Sequence, residues 1–219
     1  MPTSDAVSGG AERPAVDALV FDFGNVVVDI DFGRAIAAWA RAAGVSAEAL
    51  APRFTYDACY QALEVGAIDG ATYFAALRGT LGVALSDEQL LEGWNAILGK
   101  PLPGIGRLLR ALAPELPLYV FSNTNPMHHA YWSVHFRDTL RPFSAVFCSC
   151  DLGLRKPAPE AFRRVAERIG RAPARIGFFD DLAENVEGAR EAGLAGFQVT
   201  SVADMRRVLI EELGVPLPV

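Results

Sequence analysis

Residues 18–23 read Ala-Leu-Val-Phe-Asp-Phe, a short and almost continuous apolar run that reaches a carboxylate and is followed at once by Gly24-Asn25. A run without polar alternation fits a strand buried on both faces of a parallel sheet. Three later stretches have the same character: residues 116–121 before Ser122, residues 145–148, and residues 176–179 before Asp180. Helical patterns fall between and after them, over residues 104–113, over 159–169 with Pro159 in the first turn and Gly170 beyond the end, and over 183–192 closed by Gly193. Strands alternating with helices imply βαβ units with right-handed crossovers. The expected fold class is therefore α/β, a doubly wound parallel sheet with a Rossmann-like core.

One stretch breaks the alternation. Residues 35–100 contain no strand-like run and read as successive helices, ending at Gly44, Gly66 and Gly82, with Ser86-Asp-Glu-Gln89 opening another as a capping box. This is enough chain for a small four-helix lobe inserted between the first and second strands. The expected organisation is a flexible tail at 1–14, a core domain made of 15–33 and 101–219, and a helical cap domain at 34–100. Pro101-Leu-Pro103-Gly104 would serve as the return hinge.

Composition limits what the chain can do. With 51% apolar and 21% charged residues it has the makings of a globular core and lacks long uncharged membrane runs. A net charge of -6 gives no overall field for a polyanion, so neither nucleic acid nor a membrane is expected as partner. The first 13 residues have no basic and then apolar leader pattern, and a cytoplasmic location is expected. The three cysteines, Cys59, Cys148 and Cys150, are an odd number without a C-x-x-C pair and read as reduced, buried thiols, not as a metal or redox pair.

In an open α/β sheet, ligands lie outside the carboxyl ends of the strands. There the sequence places Asp22, then Ser122-Asn123-Thr124, then Lys156, then Asp180-Asp181. Three carboxylates in one crevice would raise one another's pKa unless a cation neutralised them. Hard oxygen donors without clustered His or Cys select Mg2+, which keeps several waters and shares its shell with a substrate phosphate. Lys156 and Ser122 are suited to the oxygens of a phosphoryl group.

This arrangement resembles the haloacid dehalogenase superfamily of phosphatases, in the branch with a helical cap between the first and second motifs. The resemblance spans residues 17–213 and rests on Phe21-Asp22-Phe23-Gly24-Asn25-Val26, Phe121-Ser122-Asn123-Thr124, Arg155-Lys156-Pro157 and Phe179-Asp180-Asp181. The wording is most similar to bacterial sugar phosphatases acting on glucose 1-phosphate. It implies that Asp22 is the nucleophile forming an aspartyl-phosphate, and that Asp22, the Gly24 carbonyl, Asp181 and Asp180 hold Mg2+. Ser122 and Lys156 would grip the phosphoryl oxygens, with Asn25, Asn123 and Thr124 around the substrate. Most phosphatases of the superfamily carry an aspartate two residues after the nucleophile to protonate the leaving oxygen; here that position is Gly24. The missing acid points to phosphates with good leaving groups.

Three readings stay open: the phosphatase, a metal-independent dehalogenase whose halide needs no proton, and a non-catalytic binder of a phosphometabolite or partner protein. Asp29 and Asp31 could replace the acid but are expected to be solvated or capping. His128, His129 and His135 share one segment and would face different ways on a helix, so they are not read as ligands. Tyr56, Tyr60, Tyr73 and Trp94 are read as cap core before substrate platform.

Overall fold

A computed structural model describes residues 15–217, and the expected tail at 1–14 lies outside the described residues. Strand β1, Ala18–Phe21, is fully buried and sits at the centre of a five-stranded parallel sheet. On one side it pairs with β4, Leu118–Ser122, which pairs with β5, Ala145–Cys148; on the other with β6, Ile176–Asp180, which pairs with β7, Ala195–Gln198. Alternation along β1 splits the core in two. Leu19 and Phe21 join a cluster with Leu118, Val120, Phe179 and Trp132, while Ala18 and Val20 face Phe121, Phe162, Val165 and Phe178.

The helices run largely where the sequence pattern puts them: α6 at Ile105–Leu112, α10 at Pro159–Ile169 and α11 at Ala183–Glu191. Helix α7, Pro126–His135, starts at the Asn125 cap, and short turns α8, Arg137–Leu140, and α9, Ser149–Leu152, flank β5. Helix α12, Val202–Arg207, closes the sheet's outer face. None of the helices among the described residues is long and apolar enough to cross a membrane.

Between β1 and β4 the chain builds a separate apolar cluster from α1 (Phe32–Ala43), α2 (Ala47–Leu50), α3 (Ala58–Glu64), α4 (Gly70–Leu81) and α5 (Asp87–Asn95). Each begins at a polar cap, respectively Asp31, Ser46, Asp57, Asp69 and Ser86, whose side-chain oxygen accepts a first-turn N–H that would otherwise be orphaned. Ser86 and Gln89 form the full capping box. Inside, Trp39 and Trp94 stack at 5.6 Å, with Tyr60 and Tyr73 edge-on or tilted against Trp94. Four of these helices have seven residues or more, and α2 adds a single turn.

Two parts differ from the sequence expectation. The stretch read as strand-free ends in β3, Leu98–Pro101, which pairs antiparallel with β2, Val28–Ile30. Pro101 therefore lies in a strand leaving the lobe, and only Gly104, at φ 87°, turns the chain into α6. These strands escaped notice because Gly99-Lys100-Pro101 carries neither apolar continuity nor alternation. The other difference is β7, an edge strand too short and too glycine-broken to stand out.

Helix α11 lies unusually close to the loop after Lys156. A Cβ on Gly188 would come within 1.9 Å of the Pro157 carbonyl oxygen, a backbone atom that cannot rotate away. Gly188→Ala is therefore expected to destabilise the chain by about 3 kcal/mol, as overpacking of a rigid contact does. A fall in the urea midpoint with unchanged slope would check this.

Candidate active site

The parallel register decides which groups meet. Phe21 pairs with Phe179, so Asp22 and Asp180 emerge side by side from β1 and β6, and Ser122 ends β4 next door. Lys156 arrives from the loop before α10, and its ammonium lies 2.7 Å from Asp22 Oδ1 and 2.7 Å from Asp180 Oδ2. The ion triad is almost dry: side-chain exposure is 1% for Lys156, 0% for Asp180 and 13% for Asp22. Rings of Phe121 and Phe178 sit 5.5 and 5.4 Å from the ammonium. A buried lysine survives as a cation only with such partners. Burial pulls its pKa down, but Asp180 and Asp22 outweigh that and leave it raised.

The acids respond in the opposite sense. Burial, reinforced by Asp180 and opposed by Lys156, raises the Asp22 carboxyl to about 7. Asp181, half-buried, is raised by burial and by Asp180. Oxygens of Asp22, Asp180 and Asp181 lie within 4.8 Å of one another. With one ammonium among three carboxylates, the cluster carries two negative charges too many when ionised, a divalent cation's worth. The donor set is all hard oxygen, which fits Mg2+. Asp180 has little capacity left. Its Oδ1 accepts from the Leu182 N–H and Asn185 Nδ2, and its Oδ2 from Lys156 and Asn185. Asp22 and Asp181 are the less committed acids.

Of the other residues singled out in the sequence, Ser122 and Gly24 line the same cavity. Asn123 also lines it, but its amide is occupied: Nδ2 donates to the Lys156 carbonyl and Oδ1 accepts the Lys156 N–H, both at 2.9 Å. Thr124 Oγ1 accepts from Trp132 Nε1. Asn25 holds φ 55°, accepts the Ile30 N–H on Oδ1 at 2.9 Å and hydrogen-bonds Asp181. Beside Gly24 the space is filled, since a Cβ there would lie 3.0 Å from Ile30 Cγ1. Asp31 caps α1, as expected, and Asp29 pairs with Arg34 instead of capping.

The cavity, 410 Å³, is roofed by the helical lobe through Phe32, Tyr56, Tyr60 and Glu64. Tyr60, Tyr73 and Trp94 are core residues of the lobe, as read; Tyr56 is exposed and faces the cavity with Tyr60. His128 is buried and neutral, its pKa lowered to about 4 by burial, with Nε2 at 3.0 Å from the Trp94 carbonyl.

A contact the sequence did not announce joins lobe to sheet. Glu64, 2% exposed, accepts from Tyr56 Oη at 2.5 Å and from Arg155 Nε at 2.9 Å, while Arg155 Nη2 donates to Tyr56 Oη at 2.7 Å. Ser149 Oγ donates to the Glu64 carbonyl at 2.6 Å and accepts the Thr124 N–H at 2.9 Å. Glu64→Ala would leave Arg155 unpaired in a half-buried position. The expected loss is about 2 kcal/mol by chemical denaturation, and Glu64→Gln, which keeps an acceptor, should lose less.

Comparison with known proteins gives a consistent picture. A family profile described as haloacid dehalogenase-like hydrolase matches residues 16–193. The D-ribitol-5-phosphate phosphatase of Bacteroides thetaiotaomicron is 28% identical over 197 residues, covering 87% of this chain and 95% of that protein. Among solved structures, a haloacid dehalogenase family enzyme of Bacteroides thetaiotaomicron in complex with magnesium and inorganic phosphate superposes with a TM-score of 0.74 at 25% identity, over 86% of this chain and 96% of that one. The L-2-haloacid dehalogenase of Xanthobacter autotrophicus, with chloropropionic acid covalently bound, shares the fold at a TM-score of 0.65 and 22% identity, over 92% and 85% of the two chains.

Proposed function

This chain belongs to the haloacid dehalogenase-like hydrolases, and we propose that it is a magnesium-dependent phosphatase of a small sugar or polyol phosphate, acting through an aspartyl-phosphate on Asp22. The observation that carries this reading is the charge of the site. Asp22, Asp180 and Asp181 exceed their one buried ammonium by two negative charges, an imbalance suited to a divalent cation and unsuited to a metal-free attack on carbon. The magnesium and phosphate held by the Bacteroides enzyme, and the polyol phosphate in the curated relative's name, support the same class.

Asp22 attacks phosphorus through one carboxylate oxygen and leaves the other for the ion; in the structure Oδ1 accepts the Phe23 N–H at 2.7 Å and the Lys156 ammonium. An O–P bond forms as the ester P–O bond breaks, and water later cleaves the acyl phosphate to free inorganic phosphate. Lys156 and Ser122 hold the phosphoryl oxygens, and Asn123 fixes the Lys156 backbone so that the ammonium keeps its place. Asn25 and Thr124 stand around the bound substrate. Asp22, the Gly24 carbonyl and Asp181 would hold Mg2+, with Asp180 reaching it through water. When bound, the ion supplies positive charge to the phosphoryl oxygens in the transition state. The lobe would open to admit water and close to exclude it during attack.

Asp22→Asn is expected to abolish phosphate release from p-nitrophenyl phosphate and glucose 1-phosphate, and a chelator to do the same until Mg2+ is restored. Turnover indifferent to chelator, or chloride release from 2-chloropropionate, would favour the dehalogenase instead. Phosphate binding without turnover would favour a non-catalytic role.

The leaving oxygen is the weak point of the site. Ile30 occupies the space beside Gly24 where a side-chain acid would stand, and general acid catalysis is worth about 10²- to 10⁴-fold. Accordingly kcat/KM should fall by about that range from aryl or anomeric phosphates to simple alkyl phosphates. Equal turnover of ribitol 5-phosphate and glucose 1-phosphate would show that another group supplies the proton.

A further inference from the structure

Away from the acid cluster, a second group of ligating side chains meets at the carboxyl end of β5. His129 from α7, Cys148 at the end of β5 and Asp151 in α9 each bring one donor atom within 4.8 Å of the others. Cys150 stands beside them, its thiol 3.9 Å from Asp151 Oδ1. The sequence alone suggested inert buried thiols, because nothing in Cys148-Ser149-Cys150 shows that α7 lays a histidine over them. Only Cys148 is in fact buried; Cys150 is intermediate.

We infer that His129, Cys148, Cys150 and Asp151 form a second metal site, one that takes a soft divalent ion of the zinc class. The donor set is the reverse of the first site. Two sulfurs, an imidazole and one carboxylate suit Zn2+ or Co2+ and discriminate against Mg2+. The geometry is close to what is needed. Tetrahedral Zn2+ with bonds of about 2.0 to 2.3 Å sets its ligands about 3.3 to 3.8 Å apart, so His129, Cys148 and Asp151, already within 4.8 Å of one another, need move by only about an ångström, and Cys150 would swing in from beside Asp151. Access is also provided, since Asp151 is exposed and His129 half-buried while Cys148 forms the floor. On binding, the S–H bonds of Cys148 and Cys150 break, their protons pass to solvent, and the sulfurs bond the ion as thiolates; no redox partner is involved.

The position links this site to the first. Ser149, between the two cysteines, holds the Thr124 N–H and the Glu64 carbonyl, and Cys148 pairs in register with Ser122. An ion here would grip the segment that carries the candidate phosphate-binding hydroxyl.

The test is titration of the full chain with Co2+ under a phosphine reductant and excess Mg2+, read by absorption and not by activity, so it stands apart from the phosphatase reading. One equivalent should give the near-ultraviolet thiolate charge-transfer band and the intense visible bands of tetrahedral Co2+, erased by Zn2+. Cys150→Ser should lower the charge-transfer intensity by about half and weaken binding, and Asp151→Asn, at an exposed position that leaves folding intact, should weaken binding about tenfold or more. Weak octahedral spectra only, or a thiolate band of unchanged intensity and affinity in both Cys150→Ser and Asp151→Asn, would overturn the assignment. So would Co2+ binding that is lost in Asp22→Asn and retained in Asp151→Asn.

Discussion

The buried contact of Lys156 with Asp22 and Asp180 is the constraint on which the sheet's functional end depends. Two carboxylates on neighbouring parallel strands, one of them fully buried, would repel and take up protons if nothing positive lay between them. Desolvating an ammonium is equally unfavourable unless it is paired. Each group thus makes the others tolerable. Much of the surrounding structure keeps Lys156 in this place: the Asn123 amide grips its backbone on both sides, Phe121 and Phe178 flank its ammonium, and Gly188 lets α11 approach the Pro157 carbonyl.

The same loop ties the site to the helical lobe. Arg155, next to Lys156, meets Glu64 and Tyr56 above the cavity, so the residue that reaches the lobe and the residue that neutralises the acids are consecutive. Polar contacts at the joint include the Ser149 bridge and the His128 contact to the Trp94 carbonyl beside the Glu64 pair. Polar contacts of this kind exchange with water at modest net cost, unlike the two apolar clusters they separate. The lobe has its own core, hung on the β2–β3 pair, yet Met127 of α7 packs against that core and Leu98 touches both clusters, so the joint is polar at the cavity and apolar behind it.

What the sequence made legible follows from physical range. The strand ends are local patterns: an apolar run, then a polar residue that the sheet topology delivers to one edge, as with Asp22, Ser122 and Asp180. Helices with strong punctuation, such as α10 between Pro159 and Gly170, were equally plain. Glu64 and Arg155 lie 91 residues apart, and no periodicity encodes their meeting. Asn123 shows a second role the sequence does not encode, since its amide holds the Lys156 backbone while the residue lines the cavity. The pair β2 and β3 was hidden because three- and four-residue strands at a lobe's neck need little hydrophobic pattern.

The charge balance also bears on what the cavity will accept. Lys156 is engaged by two acids and Arg155 by Glu64, and these are the two basic side chains lining the cavity among the described residues besides neutral His128. A second anionic group on the substrate would therefore enter without a cation to receive it, and Asp181 and Glu184 at the rim would oppose it. On the reading proposed above, the part of the substrate beyond its phosphate is uncharged. Tyr56 and Tyr60 offer ring faces beside the apolar surface of Ile30, Phe32 and Leu98, a lining suited to the CH faces of a sugar or polyol, with their hydroxyls turned to Glu64. On that reading a monophosphate is favoured by the pairing that joins the lobe to the sheet, because Arg155 is already spent on Glu64.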